Sequence, residues 1–299
     1  MRSSAAGPRY ALAVDGRASE RAERRYDPIL LDLDGTLVDA EDRIHPRTRA
    51  ALQAAVERGV RVRIATGRSE LATIPVLDDL GLREPAVVFN GAGVWCPLKR
   101  EFLEERVLSD RTLERAVRYG LERGLLTVTM GAGSKFAVQP VREVERLALS
   151  EMRGLHFVEP HELLGRRTMR VTLFSEGHAS SQALADDVER AIDAPVYLTH
   201  FPLNVLPHHR SSSLLVVDVH PPCRGKAEGL RLLKEEEGVA PERVVAVGDA
   251  SNDVPMLVAA GLAVAIEGSM EEALAVADRL VGPPSTDALG ALVEELFLD

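Results

Sequence analysis

Short runs of consecutive apolar residues, each closed by a polar or glycine-rich turn, recur along this chain. The first is Ile29-Leu30-Leu31. Such a run suits a strand buried on both faces of a parallel sheet. Between the runs, apolar residues fall at helical spacing. Ala51, Leu52, Ala55 and Val56 follow Pro46, predicting a helix through about Arg58 that stops at Gly59. Val60–Ala65 predicts a second strand, with Arg61 and Arg63 awkward inside a sheet covered on both sides. The helix after it is expected to kink or restart at Pro75. Ala86–Phe89 predicts a third strand. Arg224-Gly225-Lys226 opens a helix through about Glu236, and Arg243–Val247 is the fourth strand. Met256, Leu257 and Ala260 continue on a helix closed by Gly261, and Leu262–Ile266 is the fifth strand. A helix near 271–277, a short strand at 279–281 and a helix from 286 finish the pattern. Strands alternating with helices predict an α/β fold, a doubly wound parallel sheet with right-handed crossovers.

From Gly93 to about Pro222 the pattern changes. Helices are predicted near 110–123, 141–153 and 178–191. Between them lie β-rich pieces at Leu125–Met130, Lys135–Val138, Met169–Phe174, Pro195–Leu198 and Leu214–Val219. A loop of that length is implausible inside a compact domain. Residues 93–222 are therefore expected to form an inserted α+β domain, with 28–92 and 223–299 making the parallel-sheet domain. Residues 1–27 carry no apolar stretch of signal-peptide length and read as a flexible leader.

Composition narrows the partners. At 299 residues with 45% apolar content, the chain can bury a proper core. A formal charge of −10 argues against nucleic acid as a partner, and a bound divalent cation would offset part of it locally. No stretch approaches the roughly 20 apolar residues of a membrane span. The two cysteines, Cys96 and Cys223, do not make a disulfide framework, so a reducing cytoplasm is the expected setting. Lysine is confined to Lys99, Lys135, Lys226 and Lys234, so a lysine inside a motif carries weight. Nothing in the composition sets the oligomeric state.

The chemistry gathers where strands end. Aspartates are poor strand formers, yet Asp32 and Asp34 follow the first apolar run at once. In open α/β sheets ligands bind at the carboxyl ends of strands. Residues two apart on an extended segment point the same way, and Gly35 lets the backbone turn away. One carboxylate can attack while its neighbour moves protons. Thr66-Gly67-Arg68 closes the second strand, with Ser69 as a helix cap, and a hydroxyl, a glycine amide and a helix start together favour an anion such as phosphate. The fourth strand ends in Gly248-Asp249-Ala250-Ser251-Asn252-Asp253. His200, His208, His209 and His220 lack helical metal-ligand spacing. They read as surface loop, with substrate contact by His208, His209 or Arg210 as the alternative.

Taken in order, Asp32/Asp34, Thr66-Gly67, Lys226 and Asp249/Asp253 resemble the motifs of the haloacid dehalogenase superfamily of phosphohydrolases. The long insertion between Thr66 and Lys226 resembles the type-IIB cap, and Asn90-Gly91-Ala92 matches the Cof-type branch. The resemblance covers about residues 28–298. It implies that Asp32 is a nucleophile forming an aspartyl-phosphate and that Asp34 is the general acid/base. It implies that Thr66, the Gly67 amide, Lys226, Asn90 and Asn252 serve phosphate or substrate. It further implies Mg²⁺ on Asp32, the Asp34 main-chain carbonyl, Asp249 and, directly or through a neighbour, Asp253. The substrate would be a small phosphorylated metabolite such as a sugar phosphate. The chemistry suits these residues independently, because a carboxylate approaching a phosphate dianion needs a hard cation and a lysine to offset repulsion. Two other readings use similar residues: a phosphomannomutase-like phosphotransferase, and a receiver-type signalling module phosphorylated on aspartate. Cys223-Arg224 and Ser285-Thr286-Asp287-Ala288-Leu289 depart from the family pattern and bear on substrate choice.

Overall fold

The computed structural model describes residues 24–150 and 152–299. Strands β1 (Ile29–Leu31) and β2 (Val62–Ile64) begin the first sheet. β3 (Ala86–Val88), β4 (Gly93–Cys96) and β5 (Glu101–Glu105) form an antiparallel ribbon. β6 (Leu126–Gly131), β7 (Ser134–Ala137), β8 (Leu155–Phe157), β9 (Arg170–Ser175), β10 (Tyr197–Pro202) and β11 (Leu215–His220) make a second sheet. β12 (Val245–Gly248), β13 (Leu262–Ile266) and β14 (Arg279–Val281) complete the first.

The first sheet runs β14-β13-β12-β1-β2, and every pairing in it is parallel. Apart from the edge strand β14, its strands are three to five residues long and almost wholly buried, which is why they read as apolar runs. Arg63 is the exception, 1% exposed within β2. It is tolerated because its guanidinium pairs with Glu84 at 3.0 Å and with Glu237 at 2.5 Å. Helices Pro46–Glu57, Glu70–Leu80, Glu228–Glu237, Val254–Ala259 and Ala288–Phe297 lie between or after these strands. The helix Glu70–Leu80 runs through Pro75 without a break.

The stretch expected as a third parallel strand departs from that reading. β3 meets the end of β2 through one parallel bridge, Ala65 to Val87, and otherwise pairs antiparallel with β4. The turn between β3 and β4 has three successive left-handed residues, Phe89 (φ 51°), Asn90 (φ 49°) and Gly91 (φ 94°). Gly91 is required there, since a Cβ would lie 2.4 Å from the Gly225 carbonyl oxygen. Residues 93–105, counted above with the insertion, therefore extend the ribbon from β3, β4 pairing with β3 and β5 with β4, rather than joining the second sheet.

The second sheet runs β10-β11-β9-β6-β7-β8. One face carries Val171, Leu173, Val217 and Val219, buried with residues of helices Asp110–Glu122 and Ser181–Ile192. The other face carries Leu126, Val128, Met130, Phe174 and Val216, which share one buried cluster with Leu31, Ile64 and Leu77 of the first sheet's domain. That face lies against the carboxyl-end turns of the first sheet. Of the expected leader, residues 1–23 lie outside the described residues, whereas Tyr26 and Asp27 are buried. Asp27 carboxylate oxygens accept from the Arg61 amide and guanidinium at 3.0 and 3.2 Å. Both cysteines are free thiols, and no helix of the described residues is long and apolar enough to cross a membrane.

Candidate active site

Asp32 continues the ladder beyond β1 by donating its amide to the Val247 carbonyl at 3.0 Å, so the sheet fixes its backbone. Its side chain is 3% exposed. Lys226 Nζ donates to Asp32 Oδ1 at 2.6 Å and to Asp253 Oδ1 at 2.7 Å. Asp253 Oδ2 in turn accepts from the amides of Asp249 and Ala250, each at 3.0 Å. Asp249 Oδ1 accepts from Thr36 Oγ1 at 3.0 Å. Two glycines make this crowding possible. A Cβ on Gly35, at φ 76°, would sit 2.5 Å from Asp249 Oδ2, and one on Gly248 would sit 2.5 Å from Asp253 Cγ.

Asp32, Asp249 and Asp253 each bring an oxygen within 4.8 Å of the others. One ammonium, that of Lys226, is hydrogen-bonded into this triad. Burial and the Asp253 carboxylate push Asp32 well above the usual carboxylate range, against the pull of Lys226. Burial and Asp253 likewise push Asp249 up to about 6. Burial alone would lower Lys226, but Asp253 and Asp32 outweigh it and hold the ammonium above an ordinary lysine. Three carboxylates against one lysine leave room for further positive charge. The donor set is all oxygen, which fits a hard divalent cation rather than a thiolate- or imidazole-seeking metal. None of the four histidines joins such a cluster among the described residues.

Asp34 is placed differently. Its side chain is 44% exposed and faces Arg68. Arg68 Nε lies 3.2 and 3.0 Å from the two carboxylate oxygens, and the same guanidinium also pairs with Asp42. Burial would lower Arg68, but these hydrogen bonds hold it above an ordinary arginine. Arg68 directly follows Thr66-Gly67, but nothing in its spacing shows that it reaches Asp34. Ser69 does stand at the first helix position's cap, yet its hydroxyl makes no cap hydrogen bond.

Thr66 is fully buried, and its Oγ1 accepts from the Arg68 amide at 3.1 Å. Gly67 packs on Asn90, where a Cβ would lie 3.2 Å from the carboxamide. Asn90 Oδ1 accepts from Asn252 Nδ2 at 3.1 Å, and Asn90 Nδ2 donates to Thr199 Oγ1 at 3.4 Å. Asn90 thus joins the phosphate-type turn, the acidic turn and the second sheet. Cys223 Sγ donates to the Asn90 carbonyl at 3.4 Å. From the second sheet, Arg170 Nη1 donates to the Gly67 carbonyl at 2.8 Å. Arg170 and Thr199 touch the turns through hydrogen bonds, and Tyr197 of β10 packs its ring on Gly225, where a Cβ would lie 2.5 Å from the phenol oxygen. His208, His209 and Arg210 sit in the connection after Pro202, and His220 is fully buried with both ring nitrogens unpartnered. Sequence alone did not single out Arg170 or Thr199, because cross-strand register sets which residues form that face.

A family model described as haloacid dehalogenase-like hydrolase matches residues 29–292. The chain is 27% identical over 291 residues to the pyridoxal phosphate phosphatase YbhA of Escherichia coli, covering 89% of this chain and 96% of that protein. It is 26% identical over 288 residues to the endoribonuclease YBEY of Arabidopsis thaliana, covering 88% of this chain but spanning only 46% of that protein. Among solved structures, a subclass IIB sugar phosphatase superposes with a TM-score of 0.75 at 21% identity, covering 90% of this chain and 98% of the other.

Proposed function

Because the chain belongs to the haloacid dehalogenase-like hydrolases, we propose that it is a phosphatase that hydrolyses a small phosphorylated metabolite through an aspartyl-phosphate on Asp32. The observation that carries the reading is the buried set of Asp32, Lys226, Asp249 and Asp253 at the carboxyl ends of β1 and β12. The relatives named as phosphatases of small phosphorylated molecules support the substrate class. Mg²⁺ is the cation that the all-oxygen donors suit, and Asp32, Asp249, Asp253 and the Asp34 main-chain carbonyl would hold it. It would supply charge to offset the phosphoryl oxygens.

The residues divide the remaining work. Asp32 attacks phosphorus, forming the acyl phosphate while the ester oxygen leaves. Asp34 gives that oxygen a proton, and later takes one from the water that attacks the acyl phosphate. Inorganic phosphate departs and the Asp32 carboxylate returns. Lys226 offsets charge on Asp32 and on the phosphoryl group, while Thr66 Oγ1 and the Gly67 amide hold phosphoryl oxygens. Both Asp34 oxygens face Arg68, so that pair must open before Asp34 meets the leaving oxygen. The inserted stretch after the ribbon, at about 106–222, acts as a cap whose second sheet roofs the site and excludes water. Release of inorganic phosphate from an aryl phosphate is the test. Activity should vanish in EDTA and return with Mg²⁺, and full turnover in a verified metal-free sample would overturn the metal-assisted reading.

A further inference from the structure

Arg170 stands on β9 directly across from Met130 on β6, and Met130 stands across from Lys135 on β7. Residues opposite one another on neighbouring strands share a face. Lys135, Met130 and Arg170 therefore form a row on the face that roofs the active-site turns. The Arg170 side chain is 12% exposed. Its Nη1 is occupied, by the Gly67 carbonyl at 2.8 Å and more loosely by Asp218 Oδ2 at 3.5 Å. The opposite edge is not. Nη2 lies 3.0 Å from the Met130 thioether sulfur, a weak acceptor, and Nε has no partner. That Nε–Nη2 edge is the fork with which arginine grips a carboxylate or phosphate two-pronged.

Lys135 lies beyond Met130, on the open side of this fork and away from Asp218. It is 7% exposed and makes no ion pair or side-chain hydrogen bond among the described residues. The carboxylate in its direction, Glu70, gives one oxygen to the Gly133 amide and is itself pushed up by burial. Asp218 is held on the other side of Arg170, where it accepts from Thr172. Arg170 Nε is a buried donor without an acceptor, which is costly, and an acceptor-only group between it and Lys135 would satisfy it.

We propose that Arg170 and Lys135 form a subsite for an oxyanion other than the phosphoryl group being transferred. The substrate is then a short phosphomonoester carrying a carboxylate or a second phosphate a few bonds from the scissile ester. This rests on the phosphatase reading above and adds the substrate class. The separation is short because Arg170 already touches Gly67, the turn assigned to the transferred phosphate.

The test compares matched substrates with the full chain and Mg²⁺. Phosphoglycolate is set against ethyl phosphate for the carboxylate, and ethylene glycol bisphosphate against hydroxyethyl phosphate for the second phosphate. The readout is the ratio of kcat/KM within each pair. At least one pair should favour the charged member about ten- to a hundredfold, the range of a charged hydrogen bond. Arg170→Met should bring that ratio close to one, Arg170→Lys should restore part of it, and Lys135→Met should lower it severalfold. Lys135→Met keeps the test open if Arg170→Met does not fold. A wild-type ratio near one in both pairs, or an unchanged ratio in the folded variants, overturns the subsite while leaving hydrolysis of ethyl and aryl phosphates intact. No hydrolysis of any monoester overturns the phosphatase reading and the subsite with it.

Discussion

Replacing Lys226 by methionine isolates the electrostatics of the site from turnover. The lysine side chain is 2% exposed and makes ion pairs of 2.6 Å to Asp32 and 2.7 Å to Asp253. Methionine keeps much of the volume but leaves those carboxylates buried beside Asp249. Removing one partner of a buried pair costs about 3–5 kcal/mol, because the remaining charge has nowhere to be solvated. At about 2–4 °C per kcal/mol for a protein of this size, the melting temperature in EDTA should fall by roughly 6–20 °C. Two additions sharpen the test. Mg²⁺ should raise the melting temperature of the variant more than that of wild type, since the cation then replaces lost charge. Asp253→Asn added to Lys226→Met should recover part of the loss, a non-additivity of about 0.5–3 kcal/mol. Thermal unfolding followed by circular dichroism reads all of this, with Lys234→Met, an exposed lysine, as control. A Lys226→Met protein within about 1 kcal/mol of wild type in EDTA would refute the charge argument, given that ordinary surface substitutions fall in that range.

Three other outcomes follow from the geometry. Thr36→Val removes the hydroxyl that donates to Asp249 at 3.0 Å and should weaken Mg²⁺ affinity about ten- to a hundredfold, measured by calorimetric titration. Glu70→Ala should loosen the second sheet from the turn after Gly67 by deleting the Gly133 hydrogen bond of 2.6 Å; hydrogen exchange at Gly133 and Ser134 should speed up while β12 stays protected. Burial and neighbouring Arg170 and Arg153, opposed by Glu70, push Lys135 down to about 8, so its ammonium is present below that pH and lost above it. Preference for substrates with a second oxyanion should therefore decline as pH rises through about 8, seen as a rise in KM on the charged member of each pair.

The motif residues were legible because each ends a strand or opens a helix, where local pattern and position coincide. Asp32 follows three buried residues, and Asp249 follows four. The strand pattern also gave the parallel sheet, although β3 turned out to belong mainly to the ribbon. β5 was hidden because Glu101, Glu104 and Glu105 give it neither alternation nor strand propensity. β4 was hidden because its four residues begin at a glycine and end before a proline. Arg63 looked out of place in a buried strand because its partners, Glu84 and Glu237, are far away in sequence. Arg68, Arg170 and Thr199 were missed for a related reason. Their contacts join separate elements, and only the fold states which ones meet.

The central claim is that Asp32 takes the phosphoryl group and Asp34 handles the protons. It is tested most directly by intact-protein mass spectrometry with peptide mapping after rapid mixing with acetyl phosphate or an aryl phosphate. These donors have leaving groups that need little or no protonation, so Asp34→Asn should still phosphorylate Asp32 and, lacking a base for the attacking water, should accumulate one phosphoryl group there. Asp32→Asn should show none while still binding substrate. Phosphate mapped to Asp34 in the Asp32→Asn protein, or an Asp34→Asn protein that turns over without ever carrying phosphate on Asp32, would contradict the account.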